Sequence, residues 1–239
     1  MTDSLTTAPV RRALIVHAHP EPRSFSTAQA DAVTEHLRAD GLEVERLDLY
    51  SDDWDPVLHR DQFARDADYF KPQAEQMTAV TAGTLGHPVQ AHLDRLMRAD
   101  LLVLSFPLWW FSMPAIMKGW IDRVFVMGAT FGGEHGIFAE GGMRGRKAVL
   151  LLTTGGGGPE FAPDAADGYG DMRSFLFHIH RGMLEFVGYE VLPPVITHSP
   201  ARLSAEERTL ALRDAREGVS AALGQRASRS ASPAADSAG

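Results

Sequence analysis

Apolar residues gather in five short, uninterrupted runs rich in Val, Leu and Ile: "RALIVHA" (12–18), "LEVERLDLY" (42–50), "ADLLVLSFP" (99–107), "KAVLLLTT" (147–154) and "YEVLPPVIT" (189–197). Runs of this length with little alternation are the signature of strands covered on both faces. Between them the period lengthens to that of a helix. Residues 26–40 repeat apolar positions at Ala28, Ala32, Val33 and Leu37 and stop at Gly41, which suits a left-handed C-terminal cap. Pro114 opens "PAIMKGWIDRVFV", whose Ile116, Trp120, Ile121, Val124 and Phe125 share one face, with proline where a first helical turn tolerates it. "DMRSFLFHIHRGMLEFVG" (171–188) behaves alike and ends on glycine. A last helix begins at Ser204, where Ser-Ala-Glu-Glu forms a capping box, and runs to about Ala222.

Alternating strands and helices imply βαβ units with right-handed crossovers and a doubly wound parallel α/β sheet. Five strands favour the flavodoxin-like order 2-1-3-4-5 with helices on both faces, which binds its ligand at the carboxyl ends of the strands beside the switch point. We expect a flexible N-terminus over 1–10, one domain over 11–222 and a disordered tail over 223–239. Two excursions exceed a minimal fold: residues 51–98, partly helical, and the glycine-rich 126–146, an ordered loop.

Composition narrows the class. The 239 residues suffice for one full core, and a net charge of −8 gives no reason to expect nucleic acid or an anionic membrane as partner. There is no cysteine, hence no disulfide framework and no thiolate metal site. No apolar run approaches the length of a spanning helix, so a cytoplasmic protein without membrane insertion is expected.

Three segments that end strands one, three and four carry candidate chemistry. In "HPEPRSFS", Ser24 and Ser26 precede a helix whose free N–H groups form an anion site, although the serines alone would also serve as simple caps. In "FPLWWFSMPAI", the cluster Phe106, Trp109, Trp110 and Phe111 suits a flat π-system, or alternatively a dimer interface. In "TTGGGGPEF", consecutive glycines let the backbone approach a ligand and present donors to its polar edge, unless they form a plain turn. No Walker A lysine follows these glycines, no Gly-x-Gly-x-x-Gly follows strand one, and there is no Gly-x-Ser-x-Gly elbow. His17, His178 and His180 read as hydrogen-bonded structural histidines, and with no organised carboxylate partner no metal site is expected.

These segments, in this order, resemble the NAD(P)H:quinone oxidoreductase family, the flavoenzymes of the DT-diaphorase and drug-activity modulator B type. The resemblance runs from Arg11 to Gly218 and is carried by "RALIVHAHPEPRSF", "FPLWWFSMPAIMKGWIDRVF", "KAVLLLTTGG" and "GDMRSFLFHIHRGMLEFVGYEVL". It implies a homodimer with shared active sites and one flavin per subunit. His19, Phe25 and Ser26, beside Ser24, would hold the flavin phosphate and ribityl region. Pro107, Leu108, Trp109, Trp110 and Phe111 would line the isoalloxazine, with Thr153, Thr154, Gly155 and Gly156 at its pyrimidine edge. Phe131 would lie over the substrate pocket, with Trp110 and Phe161. "THSPARLSAEERTLAL" is similar to the family segment that reaches the adenine half of FAD, placing Arg208 and Leu212 there and favouring FAD over FMN.

The activity implied is ping-pong transfer of hydride from NADH or NADPH through flavin N5 to a quinone, with Gly155 and Gly156 N–H groups stabilising charge at the flavin N1/O2 edge. The chain departs from the family at one point. Where the animal enzymes carry a tyrosine and a histidine after the threonine-glycine turn, this chain offers Phe161 and, across a longer loop, Tyr169, so Tyr169 is the expected source of a phenol. The paired tyrosines of the family's 126–146 loop are also missing. Two other classes stay open at this level: a flavoprotein regulatory subunit of a membrane transport system, and a flavodoxin-type electron carrier.

Overall fold

The computed structural model describes residues 9–64, 68–165 and 167–224, so the expected tail beyond Gly224 and most of the expected flexible N-terminus lie outside the described residues. The apolar runs form β1 (Arg12–His17), β2 (Glu43–Asp48), β3 (Leu101–Pro107) and β4 (Lys147–Thr154), parallel and in the order β2-β1-β3-β4. The fifth run does not form one strand. It splits into β5 (Glu190–Val191) and β6 (Val195–His198), both parallel to β4, giving six strands in five positions. The cause is Pro193–Pro194: neither has an N–H to give to the ladder, and both fix φ.

β1, β3 and β4 bury nearly every residue, as their continuous apolar runs require, because helices cover both faces. On one face α1 (Phe25–Ala39) and α6 (Ala205–Ala222) lay Val33, Leu37, Ala215 and Val219 against Ala13, Ile15, Val103 and Leu151. On the other, α3 (Val89–Arg98), α4 (Ala115–Val124) and α5 (Met172–Ile179) bring Leu93, Leu96, Met117, Trp120 and Leu176 onto Leu14, Val16, Leu102 and Leu104. Each such fully buried aliphatic side chain is worth about 1.5–3 kcal/mol of transfer free energy.

Helix ends follow the sequence signals. Ser24 caps α1 by accepting from Thr27 N–H at 3.1 Å, the chain leaves that helix through Gly41 at φ +87°, and Ser204 and Glu207 close the capping box of α6. Pro114 sits one place earlier than expected, at the N-cap of α4. The segment 171–188 is not one regular helix: α5 passes into a π-helical turn over His180–Glu185 before Gly188 turns the chain at φ +104°.

The 51–98 excursion is partly helical as expected, with α2 (Pro72–Ala82) preceding α3. It is pinned to α4 through rings. Trp54 stacks on His92 at 4.6 Å, the Arg123 guanidinium lies over Trp54 at 4.7 Å, and Trp120 Nε1 donates to His92 Nδ1 at 3.1 Å. Gly119 permits the close approach, since a Cβ there would collide with Pro56. Loop 126–146 is held by Phe138 N–H to the Phe186 carbonyl (2.7 Å) and Met143 N–H to the Val187 carbonyl (2.9 Å). Among the described residues no helix is long and apolar enough to cross a membrane.

Candidate active site

Because all strands are parallel, the loops after β1, β3, β4 and β6 emerge on one edge of the sheet. The first is organised from below by His17, wholly buried at the end of β1. Its Nε2 meets Thr27 Oγ1 and its Nδ1 meets Ser105 Oγ, each at 3.1 Å. Burial pushes its pKa down to about 4, so the ring is a neutral brace between strand and helix. Ser24 Oγ is occupied by the cap and by Thr27 Oγ1 at 2.9 Å. The Phe25 and Ser26 N–H groups have no partner in the described chain, and the first turn of α1 holds no acidic residue to compete for them. His19 belongs to the same loop. Its Nδ1 lies 3.0 Å from the Glu21 N–H and 3.2 Å from the Glu21 carbonyl, which anchors the ring within the loop through that one nitrogen.

The second loop is a tight reversal in which Trp109 and Ser112 exchange both backbone hydrogen bonds at 2.9 Å. Its two central residues, Trp110 and Phe111, hold left-handed conformations at φ +51° and +57°. Such backbone costs an L-residue about 1–2 kcal/mol each, and bulky aromatics there signal a site rather than a packing convenience. The turn leaves Trp110 96% exposed, while Phe111 stacks on Phe175 at 4.5 Å and Trp109 meets the His19 ring edge-on at 6.2 Å. A flat apolar wall is thus held open to solvent.

The third loop is fixed carbonyl by carbonyl. Thr154 Oγ1 donates to the Gly156 carbonyl at 2.8 Å, and Ser199 Oγ donates to the Gly155 carbonyl at 3.1 Å. With both carbonyls tied back, the N–H groups of Gly155 and Gly156 are left without partners in the described chain, a preorganised donor pair. Gly155 borders open space, whereas a Cβ on Gly156 would collide with the Tyr169 ring and the Glu160 carboxylate. Tyr169 is half-exposed and packs on Phe161 (5.2 Å) and Phe111 (5.5 Å), and Phe161 is buried behind it.

One chain therefore brings together His19, Ser24, Phe25, Ser26, Pro107, Leu108, Trp109, Trp110, Phe111, Thr153, Thr154, Gly155, Gly156, Phe161 and Tyr169 along one edge. It does not bring Phe131 there. Phe131 packs on Phe186 at 5.5 Å and lines a separate groove of about 460 Å³ with Phe125, Met183 and Lys118, to which none of the three loops contributes. Arg208 is exposed on α6 with its Nε donating to the Leu203 carbonyl, and Leu212 lies half-buried one turn on.

Sequence reasoning missed two residues, His198 and Ser199. His198 Nδ1 lies 2.9 Å from Thr154 Oγ1 and its ring 5.6 Å from Phe161; Ser199, at φ +46°, anchors the glycine turn. The signal was available, because "THSP" ends a parallel strand and so lies on the ligand edge. Among the described residues no group of His, Asp and Glu is arranged to hold a metal ion.

A doubly wound sheet of this order, with an anion cradle after β1, an aromatic wall after β3 and a donor turn after β4, defines the flavodoxin-like class, and the family model described as flavodoxin-like fold matches residues 11–223. Rat NAD(P)H dehydrogenase (quinone) 1 is 35% identical over 206 residues, 85% of this chain and 74% of that one. Mouse ribosyldihydronicotinamide dehydrogenase (quinone) is 36% identical over 205 residues, 84% of this chain and 87% of that one. A Klebsiella pneumoniae crystal structure superposes with a TM-score of 0.82 at 34% identity, covering 87% of this chain and 83% of that one. The chain belongs to the NAD(P)H:quinone oxidoreductase family.

Proposed function

We propose that this oxidoreductase of the NAD(P)H dehydrogenase (quinone) type uses a bound flavin, FAD, to reduce quinones by two electrons in a ping-pong cycle. The observation that carries the reading is the Gly155–Gly156 turn, whose carbonyls are tied to Thr154 and Ser199 so that its N–H pair stays free beside the Trp109–Phe111 wall. The edge has the donor set a flavin requires: N–H groups for a phosphate, a flat apolar face, and a donor pair for a polar rim. When bound, the flavin supplies hydride acceptance from the nicotinamide and hydride donation to the quinone at one face.

The chain's own residues do the rest. Phe25 and Ser26 N–H groups, with the His19 ring beside them, would hold the phosphate, and Trp109, Trp110 and Phe111 would orient the ring system and exclude water from it. Gly155 and Gly156 N–H groups would hold negative charge at its pyrimidine edge, with the Tyr169 phenol as a further donor. FAD rather than FMN rests on the resemblance of segment 197–212. We further propose a homodimer: a second copy would bring its Phe131 and Phe186 groove over the exposed Trp110 and complete the quinone pocket, with the cytoplasm as the expected location.

The test is the absorbance spectrum of the purified protein, anaerobic titration with NADH and NADPH, and a menadione chase. A flavin spectrum that bleaches in one two-electron step and returns on quinone addition is the expected result. Flavin that binds but is reduced by neither nucleotide would turn the reading to a carrier or a regulatory subunit. Tyr169→Phe should slow flavin reduction about tenfold by stopped flow, the worth of one hydrogen bond to developing charge; an unchanged rate removes the phenol from the mechanism.

A further inference from the structure

His198 stands at the carboxyl end of β6, outside every role assigned so far. The hydrogen-bond directions around it are determined. A carbonyl only accepts, so the Thr154 hydroxyl gives its single proton to the Gly156 carbonyl and must accept from His198. The neutral His198 ring is therefore the Nδ1–H form. Its Nε2 has no hydrogen-bond partner among the described residues, and Gly158 lies against that edge of the ring, where a Cβ would come within 3.3 Å of Cδ2.

We infer that His198 is the positioning residue of the Gly155–Gly156 turn and its proton reservoir: Nδ1–H fixes the turn through Thr154, and Nε2 takes a proton from solvent when negative charge arrives at the free N–H pair. Protonation at Nε2 leaves the Nδ1–H bond to Thr154 intact, so the turn keeps its shape in both charge states. One N–H bond forms at Nε2 as one O–H bond of a hydronium ion or a buffer acid breaks, leaving water or the buffer base, and no electrons move on the protein. Two other histidines near the sheet are held differently: His92 Nδ1 accepts from an indole, and both nitrogens of His17 are engaged in the core.

The charged and titratable groups around His198 are few. Glu160, from the turn after β4, is occupied by Gly157 N–H at 2.6 Å; Glu207 and Asp214 of α6 share a groove of about 320 Å³ with the ring; Arg202 and Arg208 lie where α6 begins; and Tyr169 stands beyond Phe161. Burial, rather than any of these charges, lowers the pKa of His198 and keeps the ring neutral until charge arrives.

The inference rests on the flavin reading, and the experiment separates the two. Histidine-labelled protein is followed by nitrogen NMR free, with FAD, and with FAD reduced by dithionite. The expected result is the Nδ1–H form in the free and oxidised states and a doubly protonated ring after reduction at neutral pH. His198→Asn retains an amide donor towards Thr154 but cannot titrate. It should bind FAD within about twofold of the parent and take up one proton fewer per two electrons, read by an indicator dye. His198→Ala should bind FAD about tenfold more weakly, as loss of one charge-linked hydrogen bond implies. An Nε2–H ring in the free protein, or a His198 whose protonation is indifferent to reduction while FAD is bound, overturns the inference and leaves the flavin reading standing. Failure of FAD to bind at all overturns both.

Discussion

At the scale of single residues, the costliest feature is the Trp110–Phe111 turn. Both aromatics sit at positive φ, and Trp110 buries almost none of its surface in return. Trp110→Gly should therefore stabilise the free protein by about 1 kcal/mol in urea unfolding, because glycine adopts this backbone without strain. The same substitution should weaken flavin binding at least about tenfold by fluorescence titration, since one face of the wall is lost. A variant that gains stability and keeps its flavin would show that the turn is not maintained for the ligand. The two histidines that brace the core act oppositely: His17 and His92 are kept neutral because their partners and their burial leave no room for charge.

At the scale of elements, α1 carries the phosphate reading. Its cap is made by Ser24, so the serine and the anion do not compete: the hydroxyl satisfies Thr27 N–H and leaves Phe25 and Ser26 N–H for the ligand. Ser24→Ala should cost about 1 kcal/mol of stability, as N-cap losses do, and by freeing a third N–H should change FAD affinity less than it changes the unfolding midpoint. A larger loss in affinity than in stability would mean that the hydroxyl itself contacts the ligand. Elements were legible where local chemistry decided them. The runs 12–18, 99–107 and 147–154 named β1, β3 and β4, Gly41 named the end of α1, and Ser204 named the cap of α6. The break in the fifth strand was also written in the chain, as Pro193–Pro194, but a continuous apolar run masks it. The π-helical turn at His180–Glu185 left no such mark, because an inserted residue in a helix is settled by packing rather than by periodicity. The site was legible loop by loop through its residue types. What tied the loops to one another, Ser199 and His198 reaching Gly155 and Thr154, was not, because those contacts span 44 residues of sequence and exist only once the sheet is assembled.

At the scale of the whole molecule, acid is the natural stress. An unfolded histidine titrates near 6.5, whereas His17 and His92 in the fold titrate at about 4. Below pH 6.5 the unfolded chain takes up protons that the folded chain refuses, so the stability present above 6.5 is lost as the pH falls towards 4. Each ring accounts for about 3 kcal/mol over that window. Urea unfolding at pH 7.5 and 4.5 should show the loss, and His92→Gln should remove that ring's own share of it; a flat profile would mean the rings are charged in the fold. The arrangement of indoles has an optical consequence. Of four tryptophans, Trp54 and Trp120 are sealed in the core while Trp109 and Trp110 stand on the ligand edge, 40% and 96% exposed. The chain thus carries two emitters in a dry setting and two in a wet one, so the red, quencher-accessible part of its fluorescence is an intrinsic gauge of whatever docks against that wall.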